Sequence, residues 1–385
     1  MREQAANGAT LIRGGTLIDV EANRVERGDV LVRNGVVARV GRIGAASASQ
    51  YDARDCYVCP GFIDIHTHVF SPDPARPSRL EADRIGVHQG VACLVDAGSA
   101  GAKTIDLFPE HVHKRQVTPT FALINIGSPG LADLRGGHTS RPELLSLPGV
   151  VSAFERHGDW LLAVKVLASA SHAGSFGLEA VKIARKAAEL VGRPLMVHIG
   201  NAPPVVDEVL GLLRRGDIVT HTYHGKVGGV LGHRRTVIRA FRDAVARGAI
   251  VDVGHGRASF SYRTCEQALT QRMPVHTISS DLHRGNVERP VVSLARTMTK
   301  LLALGMSLLD VVCAVTLTPA RALGLDERGF GTLAEGRPAH ISVFRLREEP
   351  VELEDAEGEV RTAARWIEPR AVFVHGERHD CTAPV

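Results

Sequence analysis

Long apolar runs are missing from this 385-residue chain. No stretch approaches the roughly 18 consecutive apolar residues that a membrane-spanning helix needs, so no membrane association is predicted. The first residues, Met1 to Gly8, contain no apolar core of the kind that a secretory signal requires. The six cysteines are scattered along the chain and do not form a disulfide framework. These absences predict a cytoplasmic protein with reduced thiols.

An excess of charge of one sign is also lacking. The 46 basic and 42 acidic residues nearly cancel, and no block rich in Lys and Arg stands out. A nucleic-acid partner is therefore not expected, which leaves a small molecule as the predicted partner. Cys56 and Cys59 have no second CxxC pair and lead directly into Pro60-Gly61, which favours a structural role. The oligomeric state stays open, a homo-oligomer included.

Both ends of the chain are rich in short strands and turns. Residues 10–19 are expected to form a hairpin-like unit, and Asn34-Gly35 is a typical two-residue hairpin turn. The sequence from Gly331 onward has the same pattern of short strands and turns, with segments such as residues 340–344 in which polar and apolar residues alternate. We therefore predict a small β-sandwich domain built from residues 1–58 and 331–385.

The central residues 59–330 alternate short apolar runs with amphipathic stretches. The runs have the near-continuous apolar character of parallel strands that are buried on both faces. They are Phe62–His66, Cys93–Ala97, Phe121–Ile126, Leu161–Leu167, Leu195–Ile199, Ile218–Thr222, Ile250–Val253 and Val275–Ser279. Helices are expected at Leu178–Val191, Pro204–Arg215 and Arg234–Arg247, the last capped by Gly248. The pattern predicts an α/β fold with a (β/α)₈ barrel of the TIM type.

Polar side chains end several runs, at the face where such barrels carry their active sites. The first run ends in His66-Thr67-His68, and side chains two apart on a strand point the same way, so both imidazoles can reach one ion. Two solvated loop histidines are the alternative. Lys165 lies inside the fourth run, where burial of an ammonium is costly. It is either a lysine that snorkels out of the strand end or one carbamylated by CO₂, which could bridge two ions.

Further candidate ligands follow the later runs. The fifth run carries His198, the sixth carries His221 and leads to His224, and Asp281 follows the eighth. Alone, a histidine at a strand end is more often a hydrogen-bonded structural residue than a ligand. Five imidazole or carboxylate groups and one lysine at the ends of five runs together predict a metal site.

The sequence resembles the amidohydrolase superfamily, in its binuclear branch with a carbamylated lysine, and within it the dihydroorotase-like deacetylase group. The matching stretches are Pro60-Gly-Phe-Ile-Asp-Ile-His-Thr-His, Asp96-Ala-Gly-Ser-Ala-Gly-Ala, Met196-Val-His-Ile-Gly, Asp217-Ile-Val-Thr-His-Thr-Tyr-His-Gly-Lys, Asp252-Val-Gly-His-Gly-Arg-Ala-Ser-Phe-Ser and Thr277-Ile-Ser-Ser-Asp-Leu-His. Two residues depart from the family pattern. His224 stands in Tyr223-His224 where Phe-Asn is expected, which could change the substrate pocket, and His340 stands where Asp is usual.

The resemblance implies a site that holds two divalent ions, with a CO₂-derived carbamate on Lys165. It implies that His66, His68 and Asp281 bind the more buried ion. His198 and His221 then bind the more exposed ion, and the carbamate and a hydroxide bridge the two. Nitrogen and oxygen ligands suit zinc, although manganese and iron accept the same donors. The implied reaction is hydrolysis of a linear amide, namely deacetylation of an N-acyl amino or hydroxy acid that carries a carboxylate.

Two catalytic residues are predicted. Asp281 moves a proton from water to the leaving nitrogen, and His255 contacts the substrate or the intermediate. Arg257 is predicted to pair with a substrate carboxylate, with an exposed structural turn as the alternative. Tyr223 and Ser99 are further predicted substrate contacts.

A mobile flap is expected from residues 71–79, which are rich in Pro and Arg, with His172 as a second flap residue. Three other functions remain open. A mononuclear deaminase on the same barrel would not need Lys165. A cyclic amidase of the dihydroorotase type has motifs too similar to separate. A non-catalytic scaffold would have been expected to lose ligands, and every expected ligand type is present.

Overall fold

The computed structural model describes residues 8–73, 80–133 and 139–382. The strands of this described part are β1 (Ala9–Asp19), β2 (Arg24–Arg33), β3 (Val36–Gly41), β4 (Ser49–Asp52), β5 (Tyr57–Pro60), β6 (Phe62–Thr67), β7 (Val91–Gly101), β8 (Thr120–Asn125), β9 (Leu161–Leu167), β10 (Leu195–His198), β11 (Ile218–Thr220), β12 (Ile250–Val251), β13 (Ile341–Arg347), β14 (Val351–Glu354), β15 (Val360–Ala363), β16 (Trp366–Val374) and β17 (Glu377–Asp380).

The α-helices of the same residues are α1 (Ala82–Ile85), α2 (Leu147–His157), α3 (Ala170–Ala173), α4 (Gly177–Leu190), α5 (Val206–Gly211), α6 (Arg239–Ala246), α7 (Tyr262–Thr270), α8 (Leu294–Ala303), α9 (Leu308–Cys313) and α10 (Leu317–Ala322). Shorter helical turns lie at Val87–Gln89, Ile105–Leu107, Pro109–His113, Gly130–Asp133, Pro142–Leu144, Gly174–Phe176 and His233–Arg235. Within the described ranges, no helix has both the length and the apolar character needed to cross a bilayer.

A curved parallel sheet forms the centre of the molecule. Among the described residues it contains seven strands in the order β6-β7-β8-β9-β10-β11-β12, which make a half-barrel. The first seven apolar runs of the sequence each supply one of these strands. Every residue of β6, β7, β8 and β9 is buried, as expected for strands that are covered on both faces.

The eighth apolar run does not form a strand, but it lies between the two outer strands of the half-barrel. On one side, the Thr277 amide donates to the Val251 carbonyl at 3.1 Å, next to β12. On the other, the Asp281 amide donates to the carbonyl of His66 at 2.7 Å, next to β6. These bonds bring Asp281 beside the first strand of the sheet.

The amphipathic segments form helices, with shorter bounds than expected in two cases. Helix α4 matches its prediction closely, whereas α5 covers only the middle of residues 204–215. Helix α6 begins at Arg239 because Arg234 and Arg235 adopt φ values of 54° and 57°, which an α-helix does not allow. Gly248, with φ 94°, follows the end of α6, as the cap prediction required.

Strands from both chain ends share a second sheet. In the described chain it contains eight strands in the order β17-β16-β13-β5-β1-β2-β3, with β4 beside β1, while β14 and β15 pair separately. Asn34 and Gly35 have φ 49° and 78°, which confirms the hairpin turn between β2 and β3. The hairpin expected within residues 10–19 was wrong, because β1 is one strand with a bulge between Ile12 and Gly15. The domain boundaries at 58/59 and 330/331 stay a prediction.

The two sheets meet where β5 passes into β6. The Gly61 amide donates to the carbonyl of His340 at 2.8 Å, and the Phe62 amide donates to the Ser342 hydroxyl at 2.9 Å. A Cβ on Gly61 would lie 2.4 Å from the Ala92 methyl, so the junction requires glycine. The second sheet therefore holds the strand that carries His66 in place.

Candidate metal centre

The predicted metal ligands come from four strands and one further segment of the chain. His66 lies in β6, Lys165 in β9 and His198 at the end of β10, while His221 follows β11. Asp281 belongs to the segment between β12 and β6. Parallel strands present their carboxyl ends at one edge of the sheet, so residues that are far apart in sequence converge there.

His66, His68 and Asp281 form the tightest group. Asp281 Oδ1 lies 3.0 Å from His68 Nε2 and 3.5 Å from His66 Nε2. One ligand atom from each of the three residues can be chosen so that all lie within 4.8 Å of one another. Two imidazole nitrogens and a carboxylate oxygen at this spacing are a donor set that suits zinc.

The Nδ1 atoms of His66 and His68 are hydrogen-bonded to hydroxyl groups outside the cluster. His66 Nδ1 lies 2.9 Å from Thr220 Oγ1, and that hydroxyl donates to Asp252 at 2.6 Å. The hydroxyl therefore accepts from Nδ1–H, which leaves the Nε2 lone pair of His66 directed at the cluster. His68 Nδ1 is likewise bonded to Ser99 Oγ at 2.8 Å. Such outer hydrogen bonds fix the ring orientation of metal-binding histidines.

His198 and His221 extend the cluster. Their ring centroids are 4.3 Å apart, and the His221 ring is 4.9 Å from that of His66. His221 Nδ1 donates to the Gly254 carbonyl at 2.6 Å, so its Nε2 also keeps a free lone pair. Burial lowers the pKa of His221 to about 3, which keeps it neutral and able to bind a metal. His198 Nε2 lies 3.3 Å from Ser169 Oγ.

Lys165 is buried beside these histidines, with a relative exposure of 1%. Its Nζ lies 3.1 Å from His66 Nε2 and 3.4 Å from Met196 Sδ, and it makes no ion pair within the described part of the chain. Burial lowers the pKa of Lys165 to about 8, against the opposing charges of nearby aspartates that include Asp281. The amine is therefore partly neutral near physiological pH, which a reaction with CO₂ requires.

Sequence analysis missed two carboxylates that support the ligands. Asp252 accepts from the hydroxyls of Thr220, Thr277 and Ser279 at 2.6–2.7 Å. Asp96 accepts from the Ser99 amide at 2.8 Å and from two amides in the loop after His68. Both aspartates are fully buried. Their position inside apolar runs was the available signal, because a buried carboxylate needs several donors.

Three of the predicted substrate residues are already engaged with the protein. Ser99 bonds the ring of His68. The Tyr223 hydroxyl donates to the Pro274 carbonyl, and its side chain is fully buried. His255 is also fully buried, with Nδ1 2.9 Å from the Gly256 carbonyl and Nε2 2.8 Å from Lys300 Nζ. For each of them, a direct substrate contact would require an existing bond to break, and that role stays a prediction.

The remaining candidates lie near the edge of the site. Arg257 is exposed and makes no ion pair with the described residues. The His172 ring lies 5.1 Å from that of His198. His224 is buried, and its Nδ1 accepts from the Lys226 amide at 3.1 Å. Of the expected flap at 71–79, residues 74–79 lie outside the described ranges.

Known proteins resemble this chain over nearly its whole length. A deacetylase of Agrobacterium fabrum is 34% identical over 360 residues, which cover 91% of this chain and 86% of that relative. A deacetylase of Enterococcus faecalis is 32% identical over 345 residues, covering 88% and 90%. No protein-family model matches the chain.

Solved structures agree with this relationship. A dihydroorotase structure has a TM-score of 0.89 at 30% identity and covers 98% of this chain and 99% of its own. An adenine deaminase structure also reaches 0.89 at 30% identity, with coverages of 96% and 99%. A D-hydantoinase, at 15% identity and a TM-score of 0.70, shares the fold alone. Together with the identity to the deacetylases, these similarities show that the chain belongs to the amidohydrolase superfamily.

Proposed function

We propose that this protein is a metal-dependent deacetylase that hydrolyses a linear amide, most simply an N-acetyl amino or hydroxy acid that carries a carboxylate. The observation that carries the proposal is the convergence of His66, His68 and Asp281 around one point beside the buried amine of Lys165. The two relatives named as deacetylases match this chain over more than four fifths of its length.

The donor atoms support a site for two divalent zinc ions. His66, His68 and Asp281 would hold one ion, and His198 with His221 would hold the other. Carbamylated Lys165 would bridge the two. This assignment would account for a buried lysine that makes no ion pair within the described ranges, since a carbamate is an anion that two cations can neutralise.

The chemistry divides between the metal and the chain. When bound, divalent ions would lower the pKa of water and polarise the amide carbonyl. Asp281 takes up the proton that water loses as its oxygen bonds the carbonyl carbon. Asp281 then gives this proton to the nitrogen as the C–N bond breaks. Despite the opposing effect of burial, His68 and the other nearby histidines lower the pKa of its carboxyl, so Asp281 is ionised before the reaction begins.

The architecture belongs to the same proposal. Backbone hydrogen bonds from segment 276–282 to β12 and β6 support closure of the half-barrel into a (β/α)₈ barrel. We assign residues 59–330 to this barrel. Residues 1–58 and 331–385 then form a small β-sandwich domain, whose buried residues include Ile12, Val30 and Phe373.

Substrate recognition is assigned to residues at the edge of the site. Arg257 is exposed and makes no ion pair among the residues that the structure describes, which suits pairing with a substrate carboxylate. Direct contacts by Tyr223 or His255 would require their present hydrogen bonds to open. A cyclic amidase and a deaminase are the competing activities, and solved relatives carry both names. The buried Lys165 favours a bridged pair of ions over the single ion of a mononuclear deaminase.

Metal content per chain tests the proposal. Wild type, Lys165→Ala and Met196→Leu are each supplied with zinc and bicarbonate and assayed on N-acetyl amino acids, dihydroorotate and adenine. Met196→Leu is the matched control, because it changes the other neighbour of the Lys165 amine and leaves the amine itself intact. We expect about two ions in wild type and in the control, with both metal and deacetylation falling in Lys165→Ala.

Two other outcomes would contradict parts of the proposal. One ion per chain, unchanged in Lys165→Ala, would mean that Lys165 is structural and would favour the deaminase. A full complement of metal with ring opening of dihydroorotate and no deacetylation would establish the cyclic amidase.

A further inference from the structure

A second buried lysine lies outside the metal centre. Lys300, in α8, has a relative exposure of 1%. Its Nζ lies 2.8 Å from His255 Nε2 and 2.9 Å from the Pro290 carbonyl. The relatives' names and the mechanism above give it no role. Burial of an ammonium is costly, so these two contacts need a reason beyond packing.

The contacts of the ring fix the tautomer of His255. The Gly256 carbonyl can only accept a hydrogen bond, so the proton of His255 is on Nδ1 and its Nε2 accepts from Lys300 Nζ. This Nδ1–H donates to the carbonyl of Gly256 at 2.9 Å. The ring is also stacked on Phe260, with centroids 4.9 Å apart. Lys300 thereby holds the peptide that follows His255.

That peptide lies directly against Asp281. A Cβ on Gly256 would be 2.5 Å from Asp281 Oδ2, and φ of Gly256 is 56°. The Gly256 amide donates to the Ser280 carbonyl at 3.0 Å. Any shift of this turn would therefore displace the Asp281 carboxylate or its backbone.

The second contact, from Lys300 Nζ to the Pro290 carbonyl, connects Lys300 to the loop that follows Asp281. Pro290 belongs to the loop after Asp281, which also contains Asn286. The Asn286 side chain donates to the Asp281 carbonyl at 2.7 Å, and the Val291 amide donates to the Asn286 carbonyl at 3.3 Å. One ammonium thus bonds both loops that fix Asp281, whose φ is 52°.

We infer that Lys300 is a positioning residue for Asp281, acting through His255 and Gly256 on one side and through the 286–291 loop on the other. His255 then has an indirect role and makes no contact with the substrate. The inference rests on the role proposed above for Asp281. It requires that loss of the ammonium change the environment of a bound metal without abolishing the fold.

The test compares Lys300→Met with Thr299→Val after metal removal and loading with Co²⁺. Thr299 is an equally buried neighbour in α8 whose hydroxyl donates to the Ala295 carbonyl and accepts from the Ile367 amide, so these hydrogen bonds go to neither loop. We expect Lys300→Met to shift the visible absorption bands of Co²⁺. Its kcat for N-acetyl amino acids should fall by about tenfold to a hundredfold with little change in KM. Thr299→Val should match wild type in both.

The spectrum separates this inference from the proposed function. If wild type deacetylates nothing, the proposed function fails, while the Co²⁺ bands still report whether Lys300 positions Asp281. A folded Lys300→Met protein with wild-type bands and kcat would overturn the inference. If Lys300→Met does not fold, His255→Gln replaces it, because Gln offers Lys300 an acceptor but changes the bond to Gly256. Unchanged Co²⁺ bands in that variant would overturn the inference equally.

Discussion

At the scale of single residues, the space around Lys165 depends on a glycine in β7, which is separated from β9 by one strand of the sheet. Gly98 has φ 85°, and a Cβ there would lie 2.8 Å from both Cβ and Cγ of Lys165. Side-chain carbons do not approach this closely, so the lysine would have to move. Gly216 has the same φ of 85° with open space around it.

These two glycines give a matched pair of variants. Both Gly98→Ala and Gly216→Ala carry the cost of a left-handed backbone, about 1 kcal/mol of unfolding free energy. We expect only Gly98→Ala to lose metal as well, because it displaces Lys165. Urea unfolding and metal analysis measure the two effects separately. Equal metal content in both variants would show that the position of Lys165 is not critical.

His340 is a buried histidine with no hydrogen-bond partner on either ring nitrogen among the described residues. It stacks on Phe330 at 4.1 Å and meets the edge of His375 at 4.4 Å. Burial, and secondarily His375, lower its pKa to about 3. The folded state thus disfavours protonation, whereas the unfolded chain takes up a proton near the ordinary histidine pKa of 6.5.

This difference predicts an acid-dependent loss of stability. The contribution of His340 is intact above pH 6.5 and is lost as the pH falls from 6.5 towards 3. At one pH unit below the unfolded pKa, the loss of unfolding free energy amounts to about 1.4 kcal/mol. His340→Phe keeps the stack without the proton, so the gap in its unfolding free energy between pH 8 and that pH should shrink by about this amount. An unchanged gap would contradict the prediction.

At the scale of elements, the β14–β15 hairpin reaches the loops around the metal centre. Glu357, in its turn, accepts from the Ser261 hydroxyl at 2.6 Å. A Cβ on Gly225 would lie 1.9 Å from Glu357 Oε1, so the hairpin turn packs closely against the loop that follows His221. The Ala356 amide also donates to the Phe260 carbonyl at 3.0 Å. The hairpin therefore braces the loops after β11 and β12.

Loss of this brace should loosen the loops without unfolding the protein. We expect Glu357→Ala to increase amide hydrogen exchange in residues 221–229 and 257–262, because the bond to Ser261 is removed. Glu357→Gln retains an oxygen acceptor and serves as the control, with exchange close to wild type. Identical exchange in wild type and Glu357→Ala would show that the hairpin does not brace these loops.

At the scale of the whole molecule, four strands and the segment 276–282 must stay together to form the candidate site. Only the fold keeps these residues close, so a bound ion would link the stability of the site to that of the curved sheet. Zinc should raise the unfolding free energy by about 4 kcal/mol when its free concentration is about a thousandfold above Kd. Lys165→Ala should gain less.

Thermal unfolding with a chelator and with added zinc measures this linkage. The melting temperature of the wild type should fall on chelation and recover with zinc. An apo protein as stable as the loaded one would mean that the ligands are organised without metal, or that they do not bind it.

The local pattern of the chain carried most of the fold information. Apolar runs fixed seven strands of the parallel sheet, because burial on both faces leaves a continuous apolar signature. The eighth run was harder, since its segment is held by isolated backbone bonds to two strands and not by a regular ladder. The hairpin expected in residues 10–19 failed because Gly14-Gly15 supports a bulge as readily as a turn.

The sequence by itself determined which residue types end each strand, and hence that His66, His68, Lys165, His198, His221 and Asp281 are ligand candidates. Only the tertiary structure decided which side chains form hydrogen bonds that orient these candidates. Thr220, Asp252 and Ser99 orient the rings, and Lys300 reaches His255 from a helix that is 45 residues further along the chain. Strand periodicity is a short-range property, whereas hydrogen bonds between buried side chains arise only when distant segments pack together.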